Sequence, residues 1–151
     1  MGRKVAIVIQ RYGSDLVGGS ETLAREYAER LIGRGFDVTV YTSTARDYVT
    51  WRSEYAAGES KERGVSILRF VPTQERDLKA FNALAEPMYV RSTTAEDERL
   101  FLEAQGPLVP GLIEALRADA SQYEAILFFT YLYYPTVEGI RAAGARSVFI
   151  P

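Results

Sequence analysis

Apolar positions change their spacing several times along the chain, and each change marks an element. Residues 5–9 (VAIVI) form an unbroken, mostly β-branched apolar run, the pattern of a strand covered on both faces. From Ser20 the spacing becomes three and four, so that Leu23, Ala24, Tyr27, Ala28, Leu31 and Ile32 share one face of a helix. Glu21–Arg25 and Glu26–Arg30 lie four apart, acid first, on the wetter side. Gly33 and Gly35 end the pattern as C-terminal stop signals. Phe36–Ser43 (FDVTVYTS) follows at once as a second strand, after a link short enough for a right-handed crossover. Its end, Thr42-Ser43-Thr44, lies at the sheet edge where α/β proteins gather binding residues.

Residues 45–63 are polar and carry Tyr48, Trp51 and Tyr55; they stay a loop or add a short antiparallel piece. Trp51 is assigned to packing in preference to lining a cleft. A third strand, 64–71, stops at Pro72. Residues 73–124 then read as short helices punctuated by Pro87, Gly106-Pro107 and Pro110-Gly111. Their apolar stripes are Leu78, Phe81, Leu84 and Ala85; Leu100, Phe101 and Ala104; and Val109, Leu112, Ile113 and Leu116. Thr94 is placed as an N-cap with Glu96, Asp97 and Glu98 in the first turn. Ala125–Phe129 (AILFF) is a central fourth strand, followed by a helix over 136–142 and a fifth strand over 146–150. The alternation predicts an open parallel α/β sheet with helices on both faces and strand order 3-2-1-4-5. The chain stops at Pro151, where the next loop would begin, which reads as a fragment boundary.

Composition narrows the functional classes more than the fold. The 151 residues suit one domain. Lys plus Arg number 18 against 20 Asp plus Glu, so no global attraction to nucleic acid is expected. Without cysteine there is no disulfide or thiolate chemistry, and a cytoplasmic setting is the plain expectation. Without histidine the commonest general base and metal ligand are lacking, and no acidic residues fall at a metal-binding spacing.

The candidate chemistry sits between the first strand and first helix, in Arg11-Tyr12-Gly13-Ser14-Asp15-Leu16-Val17-Gly18-Gly19. A loop in that position offers backbone N–H groups and the positive end of a helix dipole to phosphate oxygens. Gly18 and Gly19 either let a ligand approach the backbone or merely bend the chain into the helix, with Ser20 as N-cap. The glycine spacing matches neither the dinucleotide fingerprint nor a P-loop. With the expected strand order, Tyr12, Gly18, Gly19 and Ser20 face Thr130 and Tyr131 across the switch point, and Tyr131 offers a flat face or a hydroxyl to a sugar ring. Asp15 reads as a solvated loop residue. Tyr133 and Tyr134 are harder to place, and at least one belongs to the core.

These residues carry a family likeness. Gly18-Gly19-Ser20-Glu21 at the helix start, the helix ending in glycine before a VTVY strand, the segment Gln105-Gly106-Pro107 and the run Thr130-Tyr131-Leu132-Tyr133-Tyr134-Pro135 resemble the N-terminal domain of group-one retaining glycosyltransferases of the GT-B fold. The resemblance implies a Rossmann-like domain that is one half of a two-domain enzyme. Residues 1–151 would be the acceptor side, and the donor-binding C-terminal domain of the same polypeptide would be absent. It also implies a nucleotide-sugar substrate, no further cofactor, metal-independent chemistry, and a role for Gly18 and Gly19 beside the donor diphosphate. The acceptor is open, and a lipid acceptor would bring peripheral membrane contact. Many members carry a histidine after the fourth strand where this chain has Thr130-Tyr131, so no catalytic acid or base is carried over. Two other architectures compete: a stand-alone flavodoxin-like binding module and half of a nucleotide-sugar epimerase.

Overall fold

The computed structural model describes residues 2–151. Strand β1 (Arg3–Val8) leads into helix α1 (Gly19–Gly33), followed by β2 (Phe36–Ser43), β3 (Gly58–Glu62) and β4 (Val65–Phe70). The long crossover holds α2 (Leu78–Ala85), α3 (Ala95–Gln105) and α4 (Pro110–Asp119). The chain finishes with β5 (Ala125–Phe129), α5 (Tyr134–Ala143) and β6 (Ser147–Ile150). One sheet runs β3-β4-β2-β1-β5-β6, parallel throughout except for β3. The antiparallel piece is a hairpin whose turn, Arg63-Gly64, has both central residues at positive φ (49 and 84), the geometry that matches strand twist.

With β3 set aside, the parallel strands run third, second, first, fourth, fifth, as the hydrophobic pattern predicts. That order is Rossmann-like. It departs from the flavodoxin-like order, in which the first strand lies between the second and third.

Strand β1 is apolar on both sides because the sheet has two cores. Ala6 and Val8 join Tyr41, Leu112, Leu116, Ile126 and Phe128 under α4 and α5. Ile7 and Ile9 join Val38, Val40, Ile67 and Phe129 under α1. Helix α1 approaches closely because Ala24 and Ala28 face the strands, both fully buried. The stripe is therefore narrower than expected: Leu31 and Ile32 are half-buried, while Leu23 and Tyr27 are 37% and 38% exposed. Two further expectations for this helix are corrected. Ser20 is not its N-cap, since the helix opens at Gly19 with Gly18 as a cap lacking any side-chain bond. Glu21 is not on the wet face but 4% exposed, and Arg25 turns instead to the carbonyls of Gly13 and Leu16.

Elsewhere the caps follow the sequence. Thr94 and Asp97 form a reciprocal capping box at α3, and Pro110 stands in the first turn of α4. Trp51 is 1% exposed and donates its indole N–H to Gln105 O at 2.7 Å, the packing role assigned to it. Among the described residues no helix is long and apolar enough to cross a membrane.

Candidate functional site

Parallel strands end their backbone pairing at one edge, and the polar residues that follow β1, β2 and β5 meet there. Gln10, just after β1, is only 4% exposed, so its amide has to be satisfied by protein. Its Nε2 donates to Ser20 Oγ at 3.4 Å and to Glu21 Oε1 at 3.3 Å. Its Oε1 accepts from Thr130 Oγ1 at 2.9 Å. Gln10 thus spans the switch point, linking the start of α1 to the end of β5. Thr130 holds φ 65, an unusual conformation for a β-branched residue. Such a backbone costs about 1–3 kcal/mol and persists where surrounding contacts over-determine it.

Arg11 is the second buried polar residue at this edge. Its Nε donates to Glu21 Oε1 at 2.6 Å and its Nη1 to Arg46 O at 2.6 Å, while the guanidinium lies 5.2 Å from the Tyr48 ring centre. Ser20 Oγ donates to the other oxygen, Glu21 Oε2, at 3.0 Å. A Cβ on Gly18 would collide with that same oxygen and would also stand 3.3 Å from Arg11 Nη2. Gly18 is therefore glycine for a steric reason, its φ of 171 being ordinary extended backbone. Gly19 is exposed and has nothing within 4 Å of where a Cβ would stand. No side chain caps the helix start.

Arginines dominate this edge. Arg25, Arg46, Arg69 and Arg76 accompany Arg11, with Asp15, Glu21 and Asp47 among the carboxylates near them. Arg46 pairs with Asp15, which also accepts from Tyr55; the Tyr55 bond, with Arg46 and Arg69 nearby, holds the Asp15 carboxyl below its usual range. Arg69 reaches Tyr12 O at 2.8 Å, and its buried Nε has no partner. Arg76 donates to the carbonyls of Val49 and Gln105 and lies over Trp51 at 5.0 Å; burial lowers its pKa. Trp51 in turn meets Tyr133 edge-on at 5.2 Å. Burial raises the Tyr133 pKa, with the charges of Arg76, Glu21 and Arg11 acting on it to a lesser degree.

The residues picked out from the sequence thus separate into groups. Gly18, Gly19, Ser20 and Thr130 share the switch-point edge. Tyr12 does not face it: the ring is 4% exposed within the α1-side core, and burial beside Glu62 and Glu29 pushes its hydroxyl up to about 12. Thr42, Ser43 and Thr44 are fully buried; Ser43 Oγ donates to Gln10 O at 2.6 Å, and Ser53 Oγ donates to Thr44 Oγ1 at 2.7 Å, so the latter two brace loops. Tyr131 is 64% exposed and lines a different opening, a cleft of about 650 Å³ between α3 and α5. Leu132 and Tyr134 share that cleft with Phe101, Leu102 and Val137. A smaller hollow of about 440 Å³ lies on the outer face of α1, beside Leu23 and Tyr27.

Gln10 and Arg76 are site residues that pattern reading passes over, while Arg11, Glu21 and Tyr133 stand in stretches it names without giving them a site role. For Gln10 and Arg11 a signal exists: polar residues directly after the apolar run of a central parallel strand stand where α/β sheets bind ligands. Arg76 and Tyr133 come from distant segments and carry no such mark. Among the described residues no acidic cluster is arranged to hold a metal ion. No protein-family model matches the chain, and no curated protein matches it in sequence.

Proposed function

We propose that this chain is the acceptor-side half of a retaining glycosyltransferase, which moves a sugar from a nucleotide-sugar donor to an acceptor. The observation that carries the reading is the uncapped start of α1 at the switch point, with exposed Gly19 and half-buried Gly18 beside Arg11. Backbone N–H groups and a helix dipole meet there on one anionic group, the donor diphosphate, in front of the buried Arg11–Glu21 pair. The excess of arginine around it would draw such an anion in. Donors aimed at a leaving diphosphate stabilise the charge that develops as the glycosidic bond breaks, and losing one such donor typically slows a reaction about 10²–10³-fold. The cleft beside Tyr131 opens between α3 and α5, next to the loop that follows β5, and suits the acceptor. In this reading the rest of the donor is gripped by a second domain, and this half alone transfers no sugar.

The test is amide-shift NMR on the isotope-labelled chain with UDP, GDP, ADP, CDP and dTDP. Shifts at Gly18, Gly19, Ser20 and Glu21 with millimolar affinity for at least one nucleotide are expected. Gly19→Asp, sterically free at that position, abolishes them by setting a carboxylate where the diphosphate belongs. No shift at these amides up to about 10 mM nucleotide would overturn the assignment.

A further inference from the structure

The cleft between α3 and α5 carries a chemistry that the glycine loop does not explain. Its volume, about 650 Å³, lies within the range of small-ligand sites. Its walls are apolar where Phe101, Leu102, Leu132 and Val137 meet, and the ring of Tyr131 stands at its mouth. The charged groups around it are unevenly committed. Arg99 is taken up by Glu96 at 2.6 Å and Glu103 at 2.7 Å, and Arg141 by Glu138 at 2.6 Å. Glu98 makes no ion pair among the described residues and receives only the Thr93 hydroxyl, at 3.2 Å. The rim therefore presents the spare acceptor oxygens of Glu98, with each of its two arginines already paired to a carboxylate.

We infer that this cleft, taken as the acceptor site of the function proposed above, binds an uncharged saccharide or glycoside and discriminates against a phosphorylated one. A carboxylate only accepts hydrogen bonds, so it is complemented by hydroxyl donors. A wholly apolar acceptor would strip water from Glu98 and Glu103 and give nothing back. A phosphate brings more acceptors and like charge. A sugar ring supplies both halves of the match: a C–H face for Tyr131 and the apolar wall, and hydroxyls for the rim.

The test uses methyl glycosides of glucose, galactose, mannose and N-acetylglucosamine, with glucose 6-phosphate and mannose 6-phosphate as charged counterparts. Amide shifts are followed on the labelled chain. At least one neutral glycoside should shift Leu102, Leu132 and Val137 with millimolar affinity, and its 6-phosphate should bind about fivefold more weakly. Glu98→Lys should erase that discrimination, and Tyr131→Ala should weaken the neutral ligand about tenfold. Both positions are exposed, so neither change threatens the fold. Silence of the cleft amides toward every neutral glycoside up to about 50 mM, or equal affinity for the phosphates, would overturn the inference. Because the donor reading is scored at Gly18, Gly19 and Ser20, failure at the cleft is distinguishable from failure of the transferase assignment.

Discussion

Replacing Glu21 by glutamine tests whether the start of α1 is organised by a buried ion pair. Arg11 and Glu21 have side chains only 10% and 5% exposed, and they meet at 2.6 Å. Removing one partner of such a pair typically costs about 3–5 kcal/mol, since the other charge stays buried without an opposite. Here part of the loss is recovered. Arg11 keeps its bond to Arg46 O and its place by the Tyr48 ring, and a glutamine oxygen still accepts from Nε. Against this, the first turn loses a negative charge worth about 0.3–1 kcal/mol to the helix dipole. The balance is a destabilisation of about 3 kcal/mol. With a urea slope of about 2 kcal/mol/M, the unfolding midpoint drops by about 1.5 M, read by circular dichroism. The double variant Arg11→Met/Glu21→Leu should regain most of that loss, because a buried pair replaced by apolar groups is often neutral or stabilising. A Glu21→Gln midpoint within about 0.3 M of the parent, or a double variant no better than the single, would refute the reasoning.

Two further predictions concern the cores on either side of the sheet. Gly139→Ala would place a Cβ 2.5 Å from Phe128 Cε1, and Phe128 is fully buried with nowhere to retreat. Overpacking at about 1–3 kcal/mol exceeds the roughly 1 kcal/mol that alanine gains over glycine in a helix, so thermal melts should show a Tm lower by about 3 °C; an unchanged or higher Tm would sink the argument. On the α1 side, burial raises the Tyr12 hydroxyl to about 12 while the unfolded chain ionises at about 10. The neutral phenol's contribution is complete below pH 10 and is lost as pH rises toward 12. Burial and its bonds to Tyr123 and Asp119 shift Tyr41 the same way. Urea midpoints measured across that window should fall for the parent and fall less steeply for Tyr12→Phe; identical slopes would contradict the assignment.

Sequence periodicity alone was enough for the architecture. The uninterrupted run of β1 requires cover on both faces, and the two cores supply it from α1 and from α4 with α5. The glycine pair at the mouth of α1 was legible too, because local backbone needs show in local residues. Tertiary structure decided what those residues face. Glu21 has the spacing of a surface partner for Arg25, yet Gln10 and Arg11 turn inward from the end of β1 and draw its carboxylate into the sheet edge. Tyr12 belongs to the glycine loop in sequence, yet its ring is buried in the core under α1 and does not face the sheet edge. Arg76, Trp51 and Tyr133 meet only because three separate crossovers return to the same edge. Hydrophobic spacing records which face of an element is buried against the sheet. It does not record which distant polar side chain satisfies a buried donor or acceptor, because that pairing is set by how the loops close over the strand ends.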